Sequence, residues 1–345
     1  MLRSLAKILF DSPISRWGSG DPDAKEGNLL DPKTQFACRL ADFLPKMENM
    51  APSQAREFFY NIFQTFAPDP IGILEIDDRI WDAAYGLNLR IYRNQTKDKS
   101  LPILLYFHGG GFVIGSIETH DAICRRIAYL TKSIVINMEY RLAPEFPFPK
   151  AHEDAFRGFL WVQRHAYLLG GDPNYIGVLG DSAGANLANS IVSECIKEKL
   201  HLPFLLAMIY PVTDIIREHP SMNQFGSGYG LTKKTLQWFL KNYLKREEDR
   251  SDWRLSPLQL PREILSQYPE TYVALAGFDP LRSEGEAFGE KLMESCNKVN
   301  FNIMSTLVHG YLQMTGLIPE AEIALDHLIN WMQTRIALLN LEKQV

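Results

Sequence analysis

The chain has 345 residues, 46% hydrophobic and 22% charged, the balance of a globular protein with enough apolar material for a large core. Its 36 Lys and Arg against 41 Asp and Glu leave a net charge of -5, too mild and of the wrong sign to mark a nucleic-acid binder. The four cysteines, Cys38, Cys124, Cys195 and Cys296, are far apart and lack a C-x-x-C pair or a nearby histidine. That argues against structural zinc and against a disulfide framework, and reads as buried small hydrophobes.

The N-terminal "MLRSLAKILFDSPISRW" is interrupted by Arg3 and Lys7, so it fails as a secretory signal. No stretch approaches the ~20 apolar residues of a membrane span. The expectation is a cytoplasmic protein without stable membrane insertion. Leu2, Leu5, Ala6 and Leu9 share one helical face, which reads as a short helix packed on the body or, alternatively, as a lipid contact. "SGDPDAKEGN" reads as an exposed turn-rich loop. "TQFACRLADFLPKM" and "SQAREFFYNIFQTF" read as two helices from their apolar spacing.

The texture then changes. "LNLRIYRN", "ILLYFHGG", "IVINMEYR", "IGVLGDS", "LLAMIYP", "TYVALAG" and "FNIMSTLVHG" are short β-rich runs. Between them lie helical patterns such as "AICRRIAYLTK", "AHEDAFRGFLWVQRHAYLLG" and "SAGANLANSIVSECIKEKL". Such alternation predicts an α/β fold with a mostly parallel sheet and helices on both faces. About sixty residues separate "AMIYPVTD" from "TYVALAGFD", too many for one crossover helix. This interval is expected to be a helical insertion that forms a lid with the N-terminal helices. "PEAEIALDHLINWMQTRIALLNLE" is expected to be one long helix closing the sheet.

Gly180-Asp181-Ser182-Ala183-Gly184 sits where a β run meets a helical run. One reading makes Ser182 an ordinary helix N-cap. The other makes it a nucleophile on a turn so sharp that the residues two away must lack a Cβ. A nucleophilic serine needs oxyanion donors, a base for its proton and a carboxylate to orient that base. His108-Gly109-Gly110-Gly111 follows a strand, and three glycines cost conformational entropy unless bare backbone is required. Gly110 and Gly111 are the expected donors, with Ala183 N–H as a third, and His108 a structural hydrogen bonder. His309 follows the last strand and is the expected base. His327 falls inside the final helix; His120, His152, His165, His201 and His219 precede the acid and read as ordinary. Asp279 follows the preceding strand and is the expected acid, with Asp214 and Glu284 as rivals.

"HGGGFVIGS", "YRLAPEFPFPKAHEDA", "GDSAGANLA", "SPL" at 256–258, "AGFDPLRSEG" and "HGY" come in the order and spacing that resembles the hormone-sensitive lipase-like esterases of the α/β-hydrolase superfamily. The resemblance runs from about residue 70 to the C-terminus. It implies an α/β-hydrolase fold with a mostly parallel eight-stranded sheet, N-terminal cap helices over residues 1–65, a catalytic domain over 66–345 and a second cap segment at about 214–250. It implies Ser182 as nucleophile, Asp279 as acid, His309 as base, and Gly110, Gly111 and Ala183 as the oxyanion hole. Asp181 and Glu145 match positions that are usually structural. The sequence departs from the family at Ala185, where glycine is commoner, at Ser283, where an acid is usual, and at Tyr311, where Phe is usual. None of these removes a catalytic group.

The expected activity is hydrolysis of small-molecule carboxylic esters through a serine acyl-enzyme, with no metal or organic cofactor; the resemblance implies short-to-medium acyl chains, a length the sequence itself does not fix. Phe63, Phe66, Phe225, Trp238 and Phe239 are the expected apolar pocket. The rivals are amide hydrolysis, as in arylacetamide deacetylases, and a non-catalytic ligand-binding member of the fold, against which the presence of His309 argues. A homodimer is compatible with all of these.

Overall fold

The computed structural model describes residues 2–69, 71–72, 74–94, 100–295 and 298–342. Among these residues, eight strands form one sheet: β1 (Leu74–Asp82), β2 (Leu87–Asn94), β3 (Leu101–Phe107), β4 (Ile134–Met138), β5 (Gly171–Asp181), β6 (Leu205–Ile209), β7 (Glu270–Phe278) and β8 (Val299–Val308). Their spatial order is β8-β7-β6-β5-β3-β4-β2-β1. The strands from β3 through β8 run parallel to one another, whereas β2 is antiparallel to both β1 and β4. The central strands β3, β4 and β6 are buried along almost their whole length. This is why they read as continuous β-branched and aliphatic runs rather than alternating ones.

Among the described residues, twelve α-helices accompany the sheet: α1 (Leu2–Asp11), α2 (Pro13–Gly18), α3 (Pro32–Ala41), α4 (Pro52–Phe66), α5 (Asp121–Thr131), α6 (Lys150–His165), α7 (Ala183–Lys197), α8 (Pro220–Phe225), α9 (Lys233–Tyr243), α10 (Arg262–Leu265), α11 (Arg282–Ser295) and α12 (Pro319–Glu342). Two large apolar clusters lie on the two faces of the sheet. One packs α6 and α7 against residues such as Ile103, Leu105, Val178 and Met208; the other packs α5 and α12 against Leu104, Tyr106, Leu179 and Ala207. Neighbouring strand residues alternate between the clusters, as the pleat requires. The final helix presents Ala321, Ala324, Leu325, Leu328, Ile329 and Met332 to the second cluster.

Two expectations need correction. The strand β1 was not expected, because Glu75, Asp77, Asp78 and Arg79 give Leu74–Asp82 the look of a polar connector; it is an exposed edge strand, where charges are tolerated and discourage edge pairing. Within the expected loop "SGDPDAKEGN", Ala24–Lys25 pairs with Asn28–Leu29 as a small hairpin, turned by Glu26 and Gly27 at φ 52° and 79°. The reading of the cysteines is met at three positions, since Cys38, Cys124 and Cys195 are free and buried. Cys296 lies outside the described residues.

The helices ahead of the sheet are locally well specified. Asp31 caps α3, its Oδ1 accepting from Thr34 N–H at 2.7 Å, with Pro32 in the first turn. Helix α4 begins at Pro52 and ends at Phe66, one residue beyond the expected domain boundary. It is tied to the body by Arg56, which donates to Val113 O (2.9 Å) and Ala143 O (2.8 Å) and forms a forked pair with Glu145.

Candidate active site

The parallel order of β3, β5, β6, β7 and β8 brings the ends of four of them to one edge. Strand β5 delivers Ser182, β7 delivers Asp279, β8 delivers His309, and β3, paired with β5 through Phe107 and Gly180, delivers the glycine run.

Ser182 stands at the N-cap position of α7 with φ 54° and ψ −119°, a strained conformation for a residue with a side chain. Its hydroxyl makes no capping bond to the helix. The N-cap reading therefore fails, and the hydroxyl is free to face another partner. The flanking glycines are required by space. A Cβ on Gly180 would lie 2.5 Å from the Gly184 carbonyl carbon, and a Cβ on Gly184 would lie 2.0 Å from Phe107 O. Backbone on both sides cannot give way cheaply. Gly184→Ala is expected to destabilise the protein by about 3 kcal/mol, read as a lower urea midpoint; an unchanged midpoint would refute the steric account of the turn.

Ser182 Oγ lies 2.9 Å from His309 Nε2, and His309 Nδ1 lies 2.7 Å from Asp279 Oδ2. Asp279 is buried, and its other oxygen accepts Leu281 N–H at 2.8 Å. Carboxylate, imidazole and hydroxyl thus form one chain. A base in this position can take the serine proton, and the carboxylate fixes the ring with Nδ1 protonated and Nε2 free to accept. The rivals for the acid sit elsewhere. Asp214 is occupied by Arg217, His219 and Ile216 N–H. Glu284 is buried and accepts from Thr213 and Asp214 N–H; burial pushes its carboxyl up to about 8.

The glycine run approaches Ser182 because nothing projects from it. Gly109 N–H donates to Asp181 Oδ1 at 2.9 Å, and a Cβ on Gly109 would strike that carboxylate at 2.4 Å. Gly110 has φ 128° and Gly111 φ 59°. Among the described residues, neither of their N–H groups has an acceptor, so both are available to a substrate oxygen. Asp181 is the hub beneath. It accepts from Tyr106 OH (2.8 Å), Tyr210 OH (3.3 Å) and Gln313 Nε2 (3.1 Å), with His120 Nε2 3.1 Å away. Burial opposes its ionisation, but the neighbouring His120 and these donors outweigh it and hold the carboxyl well below the usual range. His120, Gln313 and Tyr210 carry no sequence signal for this role; His120 looked ordinary because only the fold brings it to residue 181.

A cavity of about 840 Å³ opens over the triad. Phe63 and Phe66 from α4 and Phe239 from α9 line it, as expected, together with Phe58, Phe59 and Ile62. Phe225 and Trp238 do not. Phe225 is buried against Tyr229 and Phe278, ring centroids 5.5 Å from each. Trp238 is adjacent to Phe239 on α9, so it points about 100° away around the helix and packs into the core edge-on to its neighbour. Ser283, the departure from the usual acid, exchanges hydrogen bonds with Ser221: each N–H meets the other's hydroxyl, at 3.0 and 3.2 Å, which joins α8 to the Asp279 turn.

Two further histidines support the site from behind. His108 is buried, stacks on Tyr140 (centroids 4.5 Å) and bonds Gly109 O through Nδ1; burial and the nearby His120 pull it down to about 3. His152 contacts Tyr243 OH (2.9 Å) and Asn186 Oδ1 (2.8 Å), and burial brings it down from 6.5 to about 4. The unfolded chain therefore takes up this proton below about pH 6.5 and the native protein only near pH 4. The stability it contributes is complete above that window and is lost as pH falls through it, by about 1.4 kcal/mol per pH unit. His152→Gln is expected to flatten the pH dependence of the urea-unfolding free energy by that slope; an equal slope in both proteins would contradict it.

An elbow-borne serine, a histidine and a carboxylate thus meet in one hydrogen-bonded chain at the ends of parallel strands. Residues 104–313 match the family model described as alpha/beta hydrolase fold, and the chain belongs to that family. It is 33% identical over 324 residues to the carboxylic ester hydrolase LipN of Mycobacterium tuberculosis (90% of this chain, 85% of that protein). It is 35% identical over 272 residues to an ethyl acetate hydrolase of Pseudomonas putida (78% and 84%) and 36% identical over 246 residues to an arylesterase of Saccharolobus solfataricus (71% and 78%). An ester hydrolase from the metagenome of Lake Arreo superposes with a TM-score of 0.84 at 32% identity, covering 89% of this chain and 99% of that one. No helix among the described residues is long and apolar enough to cross a membrane.

Proposed function

We propose that this protein hydrolyses carboxylic esters of short-to-medium acyl chains by way of a serine acyl-enzyme. The observation that carries the reading is the unbroken Ser182–His309–Asp279 hydrogen-bond chain beside two glycine N–H groups that have no acceptor among the described residues. Ser182 Oγ attacks the ester carbon while its proton passes to His309 Nε2. The carbonyl oxygen, now negative, is held by the N–H groups of Gly110, Gly111 and Ala183. Collapse breaks the bond to the alcohol oxygen, which leaves with the proton from Nε2. Water then gives a proton to Nε2 and its oxygen to the acyl carbon; a second collapse releases the acid and returns the proton to Oγ.

The N-terminal helices and the 214–250 segment act together as a two-part cap, since α3, α4 and α9 all contribute to the cavity wall. The α4 phenylalanines make an apolar acyl wall, which supports esters with hydrocarbon chains over polar ones. Three free, buried thiols fit a reducing compartment, so the cytoplasm is the proposed location. The test is turnover of p-nitrophenyl esters from acetate to laurate. Activity with a maximum at short-to-medium chains is expected; no turnover of any member would overturn the reading.

A further inference from the structure

We propose that Phe239 and Tyr243 of α9 hold the oxyanion loop in its donor geometry, so that this helix is a positioning element for catalysis; the inference rests on the ester-hydrolase reading above. Gly110, Gly111 and Phe112 have φ of 128°, 59° and 64° in succession. Left-handed backbone is open to glycine, but for a bulky residue such as Phe112 it is strained and persists only when surrounding structure enforces it. Strain at this point matters, because these residues set where the Gly110 and Gly111 N–H groups aim.

The loop has few internal restraints. Val113 and Ile114 N–H both bond Gly110 O at 3.0 Å, and Phe112 O accepts Ala143 N–H at 2.9 Å. Gly109 is fixed from below by Asp181. The outer face is held by α9. The Tyr243 ring stacks on Phe112 with centroids 4.2 Å apart and planes 12° from parallel. Phe239, one turn earlier and on the same helix face, occupies the space a side chain on Gly111 would take: a Cβ there would lie 2.3 Å from Phe239 Cγ. Tyr243 is itself anchored, its OH at 2.9 Å from His152 Nδ1 and its carbonyl accepting Phe148 N–H at 2.9 Å. Two buried rings of one helix therefore press on Gly111, one of the two donor-bearing residues, and on the strained Phe112 after it. If α9 withdraws, Phe112 loses its stack and the loop relaxes, and the donors lose their aim. Misplacement of about 1 Å in such a constellation costs up to about 100-fold.

The experiment compares kcat and KM of wild type, Ser182→Ala, Phe239→Ala, Tyr243→Ala and Tyr243→Phe on p-nitrophenyl butyrate, with the rate of inactivation by a fluorophosphonate. Both alanine variants are expected to lose about 10- to 100-fold in kcat, with KM within about threefold and inactivation slowed in parallel, because the lost interaction is made in the transition state. Tyr243→Phe, which keeps the stacked ring, is expected to recover most of kcat. Phe239→Leu and Tyr243→Leu, which retain apolar volume but not the flat contact, serve in the same comparison if the alanine variants do not fold. Folded variants with kcat within twofold of wild type, or with the whole loss in KM, would overturn the inference while leaving the hydrolase reading intact. No wild-type turnover, or equal turnover by Ser182→Ala, would overturn both.

Discussion

Ser182→Ala is expected to lower kcat on p-nitrophenyl esters by about 10⁴-fold or more, with no loss of fold. The size follows from the covalent route: without Oγ there is no acyl-enzyme, and His309 has no hydroxyl proton to take. The intact fold follows from what the hydroxyl does not do. It caps no helix N–H, and its recorded partner is His309 Nε2 at 2.9 Å. The turn is held by the backbone instead, with Ser182 N–H on Ile209 O at 2.8 Å and the two glycines packed against carbonyls. Residual activity above the uncatalysed rate is expected, because the glycine N–H groups still bind developing charge. Thermal unfolding and circular dichroism check the fold; turnover within tenfold of wild type would remove Ser182 from the mechanism.

Asp279→Asn is expected to cost about 10⁴-fold in kcat while keeping the site's shape. The reason lies in the two oxygens of Asp279. One accepts Leu281 N–H at 2.8 Å and the other faces His309 Nδ1 at 2.7 Å. An amide has only one oxygen. With that oxygen on Leu281 N–H, its NH₂ faces Nδ1, which must then be the unprotonated ring nitrogen. The proton moves to Nε2, and Nε2 can no longer accept the serine proton. Asp214→Asn provides the comparison. Asp214 serves Arg217, His219 and Ile216 N–H, and touches neither the base nor the serine, so its loss is expected to cost less than about tenfold. A larger loss at Asp214 than at Asp279 would reverse the assignment of the acid.

The elements that were legible in the sequence are those whose local chemistry matches their place in the fold. Buried parallel strands such as Leu205–Ile209 are apolar throughout, and their period is bounded by glycine, proline or a polar residue. The glycine demands of the elbow were legible for the same reason, since a Cβ at Gly184 has no room whatever the surroundings. What the sequence hid depends on long-range placement. The edge strand Leu74–Asp82 carries five charges because one of its sides never meets a neighbour strand. Phe225, Trp238 and Phe239 are equally aromatic, yet only Phe239 faces the cavity; direction around a helix is fixed by what the helix packs on, not by composition. The network on Asp181 joins residues 106, 120, 210 and 313, whose proximity exists only once β3, β5, β6 and the turn after β8 are side by side. Ala185 and Tyr311 are absorbed without consequence: Ala185 is buried in α7, and Tyr311 packs edge-on against Tyr210.

The central claim is that one hydroxyl, raised by a strained turn and facing one imidazole, is the nucleophile. Stoichiometric treatment with a fluorophosphonate, followed by intact-mass measurement and peptide mapping, reads that atom directly. One phosphonyl adduct per chain, on the peptide carrying Ser182, formed in step with loss of esterase activity and absent in Asp279→Asn over the same interval, is the predicted result. Complete inactivation with the adduct on another residue, or full activity retained after Ser182 is phosphonylated, would contradict it.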